Sequence, residues 1–525
     1  TVIAMQGTAD RAFLKRLSAA PDPLALEKHS LLDRIVKGRS KWQASLQLPG
    51  RERNAPRVLR ITTPLTGMAL DLPGALGKRA SETRPLEIAL VFGKGDSREL
   101  KIRYGSNWNG AFSLAREDET WAVERGHLRI GGEVASLPPQ AGILIDGRLQ
   151  NFHFDSWSRV LLDPDTPIGD TGAWADRIRD IEVELGSVRA FDQDFAVERI
   201  RATRSEAGWN VRIFGPQVAG RLRLPNASAD PESPLVLRFD HLKLKRGNGD
   251  TPYRGRRPSE FPPIDARVAS MEIDDLSLGD VRFLTKPGPA AMQITDLRVA
   301  TGAFTAQGNG VWAYENDRHT TEFNLRLHAD SLGRLFQALG NDDAAIEGGT
   351  TDIVVDAIWE GVPSSFDLGI LNGSIHARSK KGQLLDIQPG LTGRAFGLLS
   401  LAALPRHLRM DFSHVFGEGF SFDTIEGSFH LEGGNAYTNN LHMVGPSARV
   451  DLAGRTGLIS RDYDQLVTVT PRITSSIPLA PLWLAEKMLQ TNIFNRVFSS
   501  RYTLTGSWDD PVVTPIVVPN EEVQN

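Results

Sequence analysis

The feature that most constrains the fold of this chain is a period-two alternation of apolar and charged residues, which recurs along most of its length. The segments RLRL at 221–224 and LKLK at 242–245 place leucine at every second position, with a cation between the leucines. Because successive side chains of a β-strand point to opposite faces of a sheet, each segment predicts a strand with one apolar and one polar face. The apolar residues of these two segments are Leu222, Leu224, Leu242 and Leu244.

The same pattern continues through the second half of the chain. Phe323, Leu325 and Leu327 alternate with Glu322, Asn324, Arg326 and His328, and turn residues such as Gly, Asn and Asp close most of the segments. A strand with one polar face must have its other face buried or covered. The candidate lining residues of this half are Phe323, Leu325, Leu327, Leu408, Met410, Phe412, Val450 and Leu452. No alternation of strands and helices is visible, which excludes a doubly wound parallel sheet and favours a mainly β, antiparallel fold.

A few short segments have helical spacing instead. They are Ala9–Leu17, Ala25–Val36, Leu332–Leu339, Leu391–Leu404 and Leu482–Phe498. The last two have wide apolar faces, and two interpretations of them remain open: a helix that caps a sheet, or a helix that lies on a membrane surface or gates a groove. The residues of these faces are Leu391, Leu398, Leu399, Ala402, Leu484, Met488, Leu489 and Ile493.

Composition limits the classes of protein that remain. The chain has 525 residues, a formal net charge of −4 and no cysteine. This charge argues against a generic nucleic-acid-binding surface, and the lack of cysteine excludes disulfides and thiolate metal sites. The Gly-, Pro- and Arg-rich stretch at 246–265 predicts a loop or linker between a first part, 1–245, and a second part, 266–525. No run of 18 apolar residues predicts a transmembrane helix.

Motifs of catalysis and of ligand binding are absent from the sequence. It contains no Walker loop, HExxH or GxSxG motif. Asp163, Asp165 and Asp170 lack the order of a calcium loop, and the adjacent Asp509 and Asp510 would point to opposite faces of a strand. We therefore expect no catalytic residue, no metal and no cofactor, and we predict that the chain is not an enzyme.

Several segments carry a resemblance to a known family. The stretches from Trp359 to Phe412, from Phe416 to Leu458 and from Arg501 to Val513 resemble the C-terminal region of the AsmA-like proteins, specifically the YhdP branch. The stretch from Leu59 to Ile88 is similar in style. The resemblance covers essentially the whole chain and is strongest in its last third.

The resemblance implies both a fold and a role. Members of this family form an elongated β-sheet that curls lengthwise into an apolar groove, and they are anchored in the inner membrane of Gram-negative bacteria by an N-terminal helix. They extend across the periplasm and are implicated in moving phospholipids toward the outer membrane. The expected partners are therefore phospholipids, the two membranes and possible envelope proteins, with the chain itself a monomer. This sequence lacks the anchor, so we expect it to be a fragment or a processed product.

Alternation alone leaves two rival functions open. A closed β-sandwich array with a structural or adhesive role would show the same pattern, with its apolar faces packed by side chains and not open to acyl chains. A glycan-active β protein would need a pair of Asp or Glu residues at a cleft, and the sequence offers no convincing pair.

Overall fold

The structure is a computed structural model that describes residues 1–10, 35–49, 56–93, 97–117, 120–161, 176–190, 193–226, 232–245, 257–339, 346–385, 420–472 and 499–516. Within these ranges the chain forms 28 strands and two short α-helices. It divides into two compact units: unit 1 is Thr1–Asp230 with Arg238–His241, and unit 2 is Pro231–Leu237 with Leu242–Asn525.

The elements of the first half are, in chain order, β1 (Val2–Asp10), β2 (Val36–Gln47), β3 (Arg57–Thr63), β4 (Met68–Leu70), β5 (Leu86–Phe92), β6 (Arg98–Tyr104), β7 (Trp108–Glu117), β8 (Thr120–Ile130), β9 (Gly142–His153), α1 (Phe154–Leu161), β10 (Ile178–Ala190), β11 (Gln193–Ala196), β12 (Arg199–Ser205), β13 (Gly208–Phe214) and β14 (Val218–Pro225).

The elements of the second half are β15 (Leu235–Leu244), β16 (Ile264–Ile273), β17 (Leu276–Pro287), β18 (Ala291–Ala300), β19 (Thr305–Glu315), β20 (Arg318–Ala329), α2 (Leu332–Ala338), β21 (Ile346–Glu360), β22 (Asn372–Leu384), β23 (Phe420–Glu432), β24 (Asn435–Val444), β25 (Ala448–Gly457), β26 (Asp462–Pro471), β27 (Ser500–Ser507) and β28 (Pro511–Pro515).

Unit 1 contains an open sheet that begins as an antiparallel meander. β1 pairs with β2, β2 with β3, and β3 with β5, after which β5 to β8 pair in chain order. β9 then pairs parallel to both β8 and β10, and the antiparallel order resumes from β10 through β12 and β13 to β14. These two parallel pairs differ from the predicted antiparallel sheet. Parallel neighbours need a crossover connection, whereas antiparallel neighbours can be joined by a hairpin.

The first of these crossovers connects β8 to β9 and is tied to the sheet. The imidazole of His127 lies 2.9 Å from the carbonyl oxygen of Ser136 through Nδ1, and 2.9 Å from Oδ1 of Asp146 through Nε2. Asn109 also donates a hydrogen bond of 2.9 Å to the carbonyl of Glu133. His127 and Asn109 are both buried beneath this crossover, residues 131–141.

Unit 2 is built more simply. From β16 to β28 each strand pairs antiparallel with the next one in the chain. Helix α2 follows β20, and its first turn is capped by the Ser331 hydroxyl, which accepts a hydrogen bond from the Arg334 amide. Leu332 and Leu335 of this helix are buried in the same apolar cluster as the strands.

The prediction of a mainly β chain with an open sheet, curled about an apolar face, and few short helices is confirmed within each unit. The helix predicted at Leu332–Leu339 is confirmed as α2. The helix predicted at Ala9–Leu17 is wrong at Ala9 and Asp10, which belong to β1 because they pair with β2. Phe154 begins the short helix α1.

The other predicted helices, Ala25–Val36, Leu391–Leu404 and Leu482–Phe498, lie outside the described residues, apart from the last two positions of the first, where Val36 opens β2. Most of the predicted linker at 246–265 also lies outside them, so the three-part division of the chain stays a prediction. Among the described residues, no helix is both long and apolar enough to cross a membrane.

Candidate functional site

The candidate site is the apolar face of the sheet, which register pairing makes continuous from strand to strand. In unit 1 one row of directly paired residues crosses eleven strands, from β2 to β14. The row is Ala44, Ile61, Ile88, Ile102, Gly110, Leu128, Ile145, Ile181, Ala202, Val211 and Leu222. Since direct partners lie on the same face, the predicted lining residue Leu222 ends an uninterrupted apolar track.

In unit 2 the three residues predicted on β20 belong to equivalent rows. Leu325 pairs with Gly308 on one side and Val355 on the other, and Val355 pairs in turn with Ile375 and then Phe429. Phe323 faces Gly310 and Ala357, and Leu327 faces Ala306 and Ile353, in the neighbouring rows.

Glycines on β19 make room for the large side chains of these rows. The sequence analysis did not identify this role of the glycines. A Cβ on Gly308 would come within 2.9 Å of Cδ2 of Leu325, and one on Gly310 within 2.6 Å of Cδ1 of Phe323. The segment GNG at 308–310 lies in the middle of β19, although Gly and Asn are residues common in turns. The apolar residues that follow it, Val311 and Trp312, were the sequence signal that indicated a strand.

The apolar face differs in exposure from one part of the chain to another. Phe323, Leu325 and Leu327 are half-buried, as are the lining residues of β13. From β23 to β27 the same face is closed: Met443, Val450, Val467 and Leu504 are all 0% exposed. An apolar ligand therefore has accessible surface to bind on β12–β14 and β19–β22, whereas the face of β23–β27 is already excluded from solvent.

The opposite face is charged and pairs its charges across strands. Between neighbouring strands, Arg267 contacts Asp280 at 2.9 Å and Arg282 contacts Asp296 at 2.6 Å. Along a single strand, β25, Arg449 contacts Asp451 at 2.7 Å. These side chains are partly exposed, so each pair contributes little to stability but keeps this face polar. The two faces together give the sheet one side for water and one for apolar groups.

A few polar side chains interrupt the closed part of the apolar face. Gln465 donates a hydrogen bond of 2.7 Å from Nε2 to the hydroxyl of Thr456, and both residues are buried. The hydroxyls of Thr438 and Tyr463 and the Oε1 atom of Gln465 are buried and have no hydrogen-bond partner among the described residues. Burial, reinforced by the nearby charge of Asp509, raises the pKa of the Tyr463 phenol.

The other predicted lining residues are placed as follows. Leu224 pairs with Trp209 and is 38% exposed, Leu242 and Leu244 are half-buried on β15, and Val450 and Leu452 are buried on β25. Residues outside the described part of the chain are Leu391, Leu398, Leu399, Ala402, Leu408, Met410, Phe412, Leu484, Met488, Leu489 and Ile493. Their predicted roles remain predictions.

The apolar face suits the binding of apolar groups. In the described ranges no group of three or more His, Cys, Asp or Glu side chains could hold a metal ion. On β24–β26 the buried polar groups of the apolar face that lack a partner among the described residues are hydroxyls and an amide oxygen. Within each unit, the face offers an apolar surface that continues from strand to strand.

Comparison with known families bears on the identity of this surface. The family model of the YhdP protein matches residues 3–513, nearly the whole chain. The chain belongs to the YhdP family. The resemblance inferred from the sequence is thereby confirmed.

A curated member of the YhdP family is similar to part of the chain. The "Intermembrane phospholipid transporter YhdP" of Escherichia coli (strain K12) is 26% identical over 236 residues, which is 43% of this chain and 19% of that protein. The match therefore spans less than a fifth of the relative's length. No solved structure matches the chain.

Proposed function

We propose that this chain carries phospholipids along its apolar sheet face, between the inner and outer membranes of a Gram-negative envelope. The observation that carries the proposal is the unbroken apolar row across unit 1, together with the apolar rows across β19–β22 of unit 2; in both units the opposite face of the sheet is charged. The function in the name of the E. coli relative, intermembrane phospholipid transport, supports the same conclusion.

The physical reason is the cost of moving a lipid through water. A two-chain phospholipid has about 30 methylenes, and at about 0.8 kcal/mol each its transfer into water costs on the order of 20 kcal/mol. A continuous apolar surface that is open along one side removes most of this barrier and leaves the headgroup in water. Such a task needs no catalytic residue, which agrees with the proposal that the chain is not an enzyme.

A matched pair of positions on β21 tests the proposal. Val354 and Val355 are neighbours of the same residue type, but Val355 pairs with Leu325 on the apolar face and Val354 pairs with Arg326 on the charged face. A photo-crosslinking amino acid would replace each valine in turn, in cells labelled with radioactive phosphate. We expect labelled lipid at position 355 and none at 354; equal capture at both, or none at 355 in folded protein, would refute a lipid-lined face.

The closed face of β23–β27 favours a second function for that part of the molecule. Side chains with no exposure, such as Val450 and Val467, form a packed core and not an open trough. A structural role there, as in a sandwich array, predicts no lipid capture at position 450 even when position 355 captures lipid. Lipid captured at both positions would instead extend the lipid path through β25.

A further inference from the structure

One arginine of unit 1, Arg98, lies on the apolar face of the sheet and not on the charged face. Arg98 begins β6 two residues before Leu100, so the two side chains share a face. Its direct partners on the neighbouring strands are Phe92 and Leu114, both apolar. The charged outer face of the same strand carries Glu99, Lys101 and Arg103 instead.

The guanidinium of Arg98 is held by aromatic rings. Its Cζ atom lies 3.8 Å from the ring centroid of Trp121 and 5.4 Å from that of Phe92. Its Nη1 atom is buried and has no hydrogen-bond partner among the described residues. Stacking on two rings fixes the plane of the guanidinium, while leaving donor groups that no described side chain satisfies.

Two further arginines lie on the same face at the same edge of the sheet. Arg57 pairs with Phe92 on β3, and Arg116 pairs with Trp121 on β7. Arg57 lies two strands from Arg98, or about 10 Å at the usual strand spacing. Neither Arg57, Arg98 nor Arg116 forms an ion pair with a carboxylate of the described residues. By contrast Arg204, stacked on Trp209 at this edge, is neutralised by Asp176 at 2.9 Å.

We propose that Arg98, flanked by Arg57 and Arg116, binds the phosphate of a phospholipid whose acyl chains lie on the adjoining apolar rows. A half-buried cation without a carboxylate partner is unfavourable by itself, and a phosphate would supply both the opposite charge and acceptors for a planar fork of donors. Two and four positions along β6 from Arg98, Leu100 and Ile102 continue the apolar face toward which the acyl chains would extend. The inference rests on the proposed function and assigns the headgroup end of the lipid to one edge of the sheet.

The test uses the purified chain and two lipids with the same fluorescent acyl chain, phosphatidylglycerol and diacylglycerol, which differ in the phosphoglycerol headgroup. Binding is measured for the wild type, for Arg98→Gln, and for Arg103→Gln, which makes the same charge change on the other face of β6. We expect Arg98→Gln to weaken phosphatidylglycerol binding about tenfold or more, with diacylglycerol binding unchanged. Arg103→Gln should leave both affinities as they are.

A second variant guards against loss of folding. Arg98→Lys keeps the charge and most of the stem but not the planar fork, so it should retain part of the preference for phosphatidylglycerol while its circular dichroism matches the wild type. An unchanged lipid preference in Arg98→Gln would overturn the phosphate site and leave the lipid groove standing. Wild-type protein that binds neither lipid would overturn the proposed function and this inference together. Inorganic phosphate that binds at Arg98, with no wild-type preference for phosphatidylglycerol, would assign the site to the free anion and overturn the lipid assignment.

Discussion

Arg455 and Asp462 form a two-point ion pair across the hairpin of β25 and β26, with 3.0 Å between Nη1 and Oδ1 and 2.7 Å between Nη2 and Oδ2. The Asp462 carboxylate also accepts a hydrogen bond from the hydroxyl of Ser460. Hydrogen bonds from Arg455 and then from Ser460 lower the pKa of Asp462 from 3.8 to about 2. The ionised carboxylate is thus part of the folded hairpin.

The pair predicts a pH dependence of stability in the acid range. Because the folded pKa is lower than the unfolded one, its contribution is fully present above pH 3.8 and is lost as the pH falls toward about 2. Since Asp462 is 37% exposed, solvent screening limits the effect of Asp462→Asn to below about 1 kcal/mol at neutral pH. Urea unfolding from pH 7 to pH 2 measures it, and the exposed Asp510→Asn is the control. A wild-type to Asp462→Asn difference that does not shrink with acidification would contradict this assignment.

Truncation of a leucine to alanine should change the free energy of unfolding much more on the apolar face than on the other face. Leu452 on β25 is 2% exposed on the apolar face, whereas Leu466 on β26 is 39% exposed on the other. Leu452→Ala should destabilise the protein by about 2–5 kcal/mol, because it leaves a cavity in a closed core. Leu466→Ala should change stability by roughly 0.5 kcal/mol or less. Denaturant unfolding compares them, and similar losses would mean that the faces are not distinct.

The hydroxyl of Tyr463 is buried without a partner among the described residues, so its removal should stabilise the fold. We expect Tyr463→Phe to raise the free energy of unfolding by about 1 kcal/mol. The matched variant is Tyr104→Phe, since the Tyr104 hydroxyl donates to the Leu76 carbonyl at 2.8 Å and accepts from Arg84 at 3.2 Å. That change should cost about 1 kcal/mol or more. Thermal unfolding supplies the sign of each effect; a loss of stability in Tyr463→Phe would show that its hydroxyl has a partner.

Lys78 has a structural role that a substitution can expose. Its ammonium donates hydrogen bonds to the carbonyls of Leu65 and Arg79 at 2.8 and 2.9 Å, and to that of Met68. Burial lowers the pKa of Lys78. Lys78→Met fills the same space but leaves three carbonyls unpaired, so we expect a loss of about 2–3 kcal/mol. Denaturant unfolding measures it against Lys37→Met, which removes an exposed ion pair with Asp71. Equal effects of the two variants would contradict a structural role.

Alternation in the sequence was sufficient to predict the faces of individual strands. Leu325 and Arg326 lie on the apolar and charged faces of β20 as their spacing predicted, because side chains of a strand alternate whatever the strand pairs with. The same rule placed Leu222 and Leu452. Alternation does not indicate whether neighbouring strands run parallel or antiparallel. The segment that forms β9 has the same pattern in either case.

Two features depended on contacts that no local pattern contains. Ala9 and Asp10 have helical spacing, but pairing with Ser40 and Arg39 of β2 makes them strand. Local propensity is a weak prior that tertiary pairing overrides. Arg98 resembles any charged residue at a strand end, and only the register of β5, β6 and β7 reveals that its neighbours are Phe92 and Leu114.

The crossover between β8 and β9 determines which face of the sheet stays uncovered at these strands. A connection between parallel neighbours must travel back from one edge of the sheet to the other, over one of its faces. His127, which holds the crossover through Ser136, lies next to Leu128 of the apolar row and therefore on the opposite side of β8. The crossover segment therefore runs over the charged face of the sheet and not over its apolar face. A ligand bound on the apolar row at Leu128 would therefore have the sheet between itself and the crossover.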